Sequence, residues 1–228
     1  MFLLMFIITF HEFGHLLFAS IINISASKII IYAFGGITNY NIPINISINK
    51  ELFILIGGPI FQIILLLIIK KLNLYINENT YKEFIYLNKI LFSFNLLPIL
   101  NLDGGKLINL ILNKIFSYKT SFNISLIISI ISLPITFYIF NKYLTIIIII
   151  FIIKELIIEI KNKDYSFNKL LTERYINNYK FKKRTLIKNI NKVKRDKNFD
   201  IYYNGNLFNE REYLNLYFSR KNRCFNWH

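Results

Sequence analysis

What most constrains this chain is the way its apolar residues are gathered. Runs such as Ile60–Ile69 and Leu144–Ile153 are almost unbroken Ile, Leu and Phe, and a helix built from them has no face to offer water. A globular chain carries roughly 45–50% apolar residues, dispersed by the period of its secondary structure. Here the fraction is 54% and the mean hydropathy +0.41. The blocks exclude an ordinary soluble domain and predict an all-α polytopic membrane protein. Five spans are expected, at Met1–Ile22, Leu52–Ile69, Phe84–Leu112, Phe122–Phe140 and Tyr143–Ile160. Each is near the ~20 residues that carry a helix across ~30 Å of hydrocarbon.

The third span is not uniform. Asn95, Pro98, Asn101, Asp103, Gly104 and Gly105 interrupt it, which predicts a broken helix whose loosened backbone lines a polar cavity and not lipid. Between the first two spans, residues 23–50 are polar and strand-like. A Gly35-Gly36 turn between Lys28–Ala33 and Ile37–Tyr40 predicts a hairpin at the membrane surface.

Charge divides the chain in two. The net charge is +15, and the basic residues crowd toward the C-terminus, where Lys180–Lys197 follows Arg174. Residues 1–160 are therefore expected to form the membrane domain and 161–228 a small basic region, cytoplasmic by the positive-inside rule. Counting five spans back places the N-terminus outside and the hairpin inside; Lys70 and Lys71 then fall outside, against the rule. The basic region is read as a segment beside anionic lipid, with no nucleic-acid partner. The single cysteine, Cys224, cannot form an internal disulfide. Richness in Ile, Asn, Lys, Tyr and Phe fits a host with an A/T-rich genome and inflates both hydropathy and charge.

Inside the first span stands His11-Glu12-Phe13-Gly14-His15. On a helix this H-E-x-x-H spacing sets both imidazoles on one face, one turn apart, with the glutamate beside them. Three ionisable groups within five residues of an apolar span are costly unless they face a protein-lined polar site or share a cation. The spacing suits zinc, which needs a third protein ligand and an open position for water. His228, the remaining histidine, ends a distant tail. Asp103 is the better candidate, an acid set among Ile99, Leu100, Leu102 and Leu107. Gly104 and Gly105 beside it remove the bulk that would keep the backbone from the first helix.

These residues resemble the site-2 protease family of intramembrane zinc metalloproteases, peptidase family M50. Three marks carry the likeness: His11–His15, then Gly57-Gly58-Pro59-Ile60-Phe61-Gln62, then Asn95-Leu96-Leu97-Pro98 through Leu102-Asp103-Gly104-Gly105. Within the family the chain is most similar to the stage IV sporulation protein FB branch of endospore formers. Ala33-Phe34-Gly35-Gly36 resembles that branch's re-entrant hairpin, and Leu170–Tyr175 its segment after the last span. The resemblance implies a three-helix core, zinc on His11, His15 and Asp103, and Glu12 as the catalytic base. It also implies that Asn95 orients substrate or stabilises the oxyanion, and that the hairpin around Gly35 and Gly36 holds the substrate extended. Two positions depart: Asn101 stands where the branch has proline, and Gln62 where many relatives have asparagine. Only ten residues precede His11, where the branch has a further span, so a full-length form is expected to have six. The tail is shorter than a nucleotide-sensing cystathionine-synthase-type (CBS) domain and is read as a reduced version.

The implied function is hydrolysis of a peptide bond at or in the membrane, activating a regulatory protein. In the sporulation branch the substrate is the sigma-K precursor, with inhibitory membrane partners gating the reaction. The alternatives are a general site-2 protease acting on anti-sigma factors or signal-peptide remnants, which shares every catalytic residue, and a non-enzymatic zinc transporter, which has no need of Glu12. Oligomeric state is not legible.

Overall fold

The computed structural model describes residues 2–32, 35–40, 43–72, 77–136 and 142–225, and the side-chain surroundings of all of these except 26–40, 142–144 and 220–225. Helices dominate: α1 (Phe2–Ile21), α2 (Ile48–Lys71), α3 (Glu78–Asn95), α4 (Asp103–Ile115), α5 (Tyr118–Ser132), α6 (Lys142–Asn177) and α7 (Glu210–Phe225). Two small sheets join them, β1 (Ala26–Tyr32) with β2 (Gly35–Tyr40), and β3 (Arg184–Ile187) with β4 (Asn198–Tyr203) and β5 (Asn206–Asn209).

Among the described residues three helical segments are long and apolar enough to cross a membrane: Phe2–Ile21, Ile48–Lys71, and Tyr118–Ile135, which is α5 continued by a 3₁₀ turn. The expected third span is two helices. After α3 the chain passes through residues 96–102 without regular helix and restarts as α4 at Asp103. Pro98 denies the break a donor, and an aspartate at the first position of α4 sits where the helix dipole favours a carboxylate. The break is held from the side: Ser129 of α5 accepts from Leu100 N–H at 2.9 Å, and Ser132 donates to the Pro98 carbonyl at 3.4 Å. Asn77 and Ser117 cap α3 and α5 with their side chains, as Asn and Ser at helix starts do.

The hairpin is antiparallel, with Tyr32 opposite Gly35, Ile31 opposite Gly36 and Ile30 opposite Ile37. Gly35 and Gly36 thus open β2 and do not form the turn expected of them; residues 33–34, which join the strands, lie outside the described residues. Both strands run beside α1.

Helix α6 is 36 residues long and passes through residue 160 without interruption. Its last turns change function: Phe167, Leu170 and Leu171 at i, i+3 and i+4 are buried against Ile187, Val193, Phe199, Ile201, Tyr213 and Leu214. Strand β4 supplies the alternation this needs, with Phe199 and Ile201 buried and Tyr202 exposed. The β4–β5 turn is Asn204-Gly205, at φ 50° and 82°, the positive values that a two-residue hairpin requires and that these residues tolerate.

The C-terminal region is bolted to the membrane helices through two buried arginines. Arg195 forms an ion pair with Glu51 of α2 at 2.6 Å and donates to the Ile44 carbonyl at 2.6 Å. Arg174 donates to Asn45 at 2.7 Å and to Glu210 at 3.1 Å. The residues they grip, 44–51, are the stretch that leads from the hairpin into α2.

Candidate metal centre

Helices α1 and α2 approach closely because Gly14 faces Gly57: a Cβ on either would run into the other's carbonyl oxygen. That contact brings Ile54, Gly58 and Gln62, one residue per turn of α2, beneath the face of α1 that carries His11 and His15. Gly58 is the floor. A Cβ there would lie 2.7 Å from His11 Nε2 and 2.6 Å from His15 Cε1, so both rings occupy space that any other residue would fill. Asp103 arrives from the third direction, at the head of α4.

The three side chains meet at a point. His11 Nε2 lies 2.9 Å from Asp103 Oδ2, His15 Nε2 3.1 Å from the same oxygen, and the two Nε2 atoms are 3.2 Å apart. His11, Glu12 and His15 are all buried, with ligand-type atoms within 4.8 Å of one another. Asn95, from the last turn of α3, brings its Nδ2 to 3.3 Å from His11 Nε2.

The outer ring nitrogens decide what the inner ones are. Gln62 Nε2 donates to the Asn88 carbonyl at 3.0 Å, which turns its Oε1 toward His11 Nδ1 at 3.1 Å. An amide oxygen can only accept, so His11 Nδ1 carries the proton and Nε2 presents a lone pair. His15 Nδ1 lies 3.0 Å from the Ile54 carbonyl, and the same logic applies. Gly58 N–H also approaches His15 Nδ1, at 3.3 Å. Its helical partner is the Ile54 carbonyl four residues back, and the shorter contact to that acceptor-only oxygen fixes the tautomer. Two imidazole lone pairs and a carboxylate oxygen therefore converge, an arrangement of acceptors that a shared cation stabilises.

The donor set fits zinc. Ligand distances of about 2.0–2.2 Å in a tetrahedron place neighbouring ligand atoms about 3.3–3.6 Å apart, so an outward movement of a few tenths of an ångström converts the observed triangle into three corners of such a site. Two histidines and one carboxylate leave the fourth position for water, the pattern of catalytic zinc.

Of the residues expected from sequence, His11, Glu12, His15, Asp103 and Asn95 are thus gathered. Gly35 and Gly36 lie on β2, beside α1. Asn101 is turned elsewhere, its Nδ2 3.4 Å from Glu155 of α6. His228 lies outside the described residues. Sequence reasoning did not find the orienting role of Gln62, although a glutamine in an unbroken apolar helix was a signal. Nor did it find Lys106, whose Nζ is 3.8 Å from Asp103 Oδ1 and whose i+3 position was the clue. The carbonyls of Ile54 and Asn88 have no side-chain signature at all.

No protein-family profile matches the chain. It is similar to the stage IV sporulation protein FB of Bacillus subtilis, 28% identical over 126 residues that make up 54% of this chain and 43% of that protein. It is also similar to a zinc metalloprotease of Methanocaldococcus jannaschii, 31% identical over 132 residues, 55% of this chain and 38% of that one. The chain therefore spans under half the length of these curated relatives. Among solved structures it matches a site-2 protease from Methanocaldococcus jannaschii with a TM-score of 0.55 and 26% identity, covering 66% of this chain and 72% of that one. The chain is thus similar in sequence to a sporulation protein and a zinc metalloprotease, and in fold to a site-2 protease.

Proposed function

We propose that this chain is an intramembrane zinc metalloprotease that hydrolyses a peptide bond at or within the bilayer to activate a regulatory protein. The observation that carries the reading is the convergence of His11 Nε2, His15 Nε2 and Asp103 Oδ2 within 3.2 Å beside buried Glu12. A transport site has no need of a further carboxylate at Glu12 between its histidines.

Zinc bound to the three ligands supplies Lewis acidity toward a carbonyl and a water. The chain's own groups do the rest. Glu12 takes the proton of the attacking water and returns it to the departing amine. Asn95, with its amide beside His11, orients the scissile carbonyl or stabilises its developing negative charge. Gln62 and the Ile54 carbonyl hold the imidazoles in the tautomer that keeps Nε2 free for the metal. The hairpin at Gly35 and Gly36 lies alongside α1 and binds substrate as an added strand, which unwinds the helical hydrogen bonds that would shield the peptide.

In this reading the membrane domain has five spans, the break between α3 and α4 lines the site, and the C-terminal region is cytoplasmic in an endospore-forming bacterium. The substrate class is a membrane-associated precursor, with the sigma-K precursor favoured by similarity to the sporulation protein; inhibitory membrane partners are expected for the same reason. The test is co-expression with a tagged sigma-K precursor. Shortening of the precursor by wild type and not by Glu12→Gln or Asp103→Asn supports both chemistry and substrate. Equal shortening by Glu12→Gln contradicts the assigned base. Zinc-loaded wild type that leaves the precursor intact contradicts this substrate.

A further inference from the structure

Each of the three converging side chains has an inner atom that meets the other two and an outer atom that faces away. For the histidines the outer atom is Nδ1, held by Gln62 Oε1 at 3.1 Å and by the Ile54 carbonyl at 3.0 Å. Those contacts fix the tautomer and the ring orientation together. For Asp103 the inner atom is Oδ2, which both Nε2 atoms approach at 2.9 and 3.1 Å, and the outer atom is Oδ1. A carboxylate poses a problem that an imidazole does not. Its two oxygens are chemically alike, and χ2 of an aspartate has a broad, two-fold profile that lets them exchange places.

The backbone beneath Asp103 is fixed, so this rotation is the freedom that remains. Asp103, Gly104 and Gly105 open α4. A Cβ on Gly104 would run into the Leu96 carbonyl oxygen and one on Gly105 into that of Ile99, so the turn lies directly on the chain of the break. Lys106 closes that turn, its N–H donating to the Leu102 carbonyl at 2.9 Å. Three residues on from Asp103 it shares the same helix face, and its Nζ lies 3.8 Å from Oδ1, the outer oxygen. The Lys106 side chain is 49% exposed against 10% for that of Asp103. The ammonium therefore keeps water as a partner, and a pair of this kind contributes little to stability. What it gives the buried carboxylate is direction: a cation on one side makes the two oxygens unequal.

We propose, on the basis of the metalloprotease reading above, that Lys106 is a positioning residue that makes Asp103 a one-oxygen ligand. By holding Oδ1 it presents Oδ2 alone to the metal. Two imidazoles and one carboxylate oxygen leave the fourth position to water, as catalytic zinc requires. A carboxylate turned in with both oxygens crowds that position. Lys106 thus does for Asp103 what Gln62 does for His11 and the Ile54 carbonyl for His15.

The test uses the full chain in detergent with cobalt(II) as the probe, because its visible absorption is strong in four-coordinate sites and weak in five-coordinate ones. Wild type and Lys106→Arg, which keeps the cation, should bind cobalt stoichiometrically with the strong spectrum. Lys106→Met should also bind it stoichiometrically, which shows that the variant is folded, but with weakened bands. Its zinc form should lose about 10–100-fold in kcat with KM unchanged, the usual effect of removing a group that orients a metal ligand. Wild-type band intensity in Lys106→Met, or an equal weakening in Lys106→Arg, would overturn the proposal and leave the metal centre standing. Wild type that takes up no cobalt would overturn the metalloprotease reading, and the proposal with it.

Discussion

Two buried polar clusters share helix α2, one at its first turn through Glu51 and the other along its middle from Ile54 to Gln62, and they are built on opposite principles. At Arg174 and Arg195 nearly every guanidinium donor meets an acceptor, Arg195 Nε being the exception. Arg174 is 3% exposed and is met by Asn45, Glu210 and the carbonyls of Lys194 and Lys197; Arg195 is 5% exposed and is met by Glu51 and the carbonyls of Ile44 and Ile46. Burial pulls the Arg174 guanidinium below its ordinary pKa, against the pull of Glu210. For Arg195 burial is the largest single influence and lowers it, but the hydrogen bond to Glu51 and the charges of Glu51, Tyr118 and Asp196 together outweigh it and raise it. Both stay cationic, because arginine starts so high. At His11, His15 and Asp103 the balance fails: lone pairs converge, and Asn95 is the donor that reaches them. A cluster that satisfies itself is architecture, and one left with excess acceptors is a site for a cation. The lesson is about accounting for donors, and it separates two constellations that burial alone would rank together.

The contrast can be broken at either end. The largest expected effect is on chemistry: Glu12→Gln should lower cleavage by about 10²–10⁴-fold, the usual contribution of a general base, with zinc retained. Single-turnover cleavage of a precursor substrate reads this, and activity within tenfold of wild type would remove Glu12 from the role. Next comes the arginine clamp. Arg174→Met takes the buried guanidinium away from Glu210 Oε1, Asn45 and the carbonyls of Lys194 and Lys197, a loss of about 3–5 kcal/mol for a broken buried pair. Denaturant unfolding in detergent measures it, and a loss below about 1 kcal/mol, the range of exposed pairs, would show the clamp to be ornamental. Zinc content should be unaffected in whatever fraction stays folded.

Smaller effects sharpen the comparison. Gln62→Leu removes the group that fixes the His11 tautomer and should weaken zinc binding by about 10–100-fold, read by competition with a chelator. Unchanged affinity would mean that the protein does not orient its ligand through this contact. The smallest effect belongs to an exposed ion pair, Lys119–Asp164 at 2.8 Å. Lys119 holds the Asp164 carboxyl below its ordinary value, so whatever stability the pair gives is present at neutral pH and is lost as pH falls through the carboxylate range. Asp164→Asn should leave the unfolding midpoint at pH 7 where wild type has it; a clear drop would place this pair with the buried clamp.

How far the sequence reveals this depends on where each signal is carried. The convergence of His11, His15 and Asp103 was legible because a four-residue spacing is converted by a helix into one face, and because Asp103 is an acid in apolar surroundings. The break near Pro98 was legible from residues that cannot continue a lipid-exposed helix. Gln62 was visible as an anomaly, but its partners are a backbone carbonyl and a ring nitrogen on two other helices, which no local pattern encodes. Arg174 and Arg195 were hidden by their neighbours: in a run of lysines an arginine reads as solvated charge, and the half-buried acid that pairs with Arg195, Glu51, is 144 residues away. The three-stranded sheet was missed although Asn204-Gly205 after alternating Phe199 and Ile201 is a hairpin signal. The overall basicity drew attention to charge and away from period.

The central claim is that His11, His15 and Asp103 act together as the ligands of one metal ion. The most direct measurement is the zinc content of the purified full chain after dialysis against a weak chelator, compared among wild type, Glu12→Gln and Asp103→Ala. The account predicts stoichiometric zinc in wild type and in Glu12→Gln, and its loss in Asp103→Ala. Zinc-free wild type, or Asp103→Ala holding as much zinc as wild type, would contradict it.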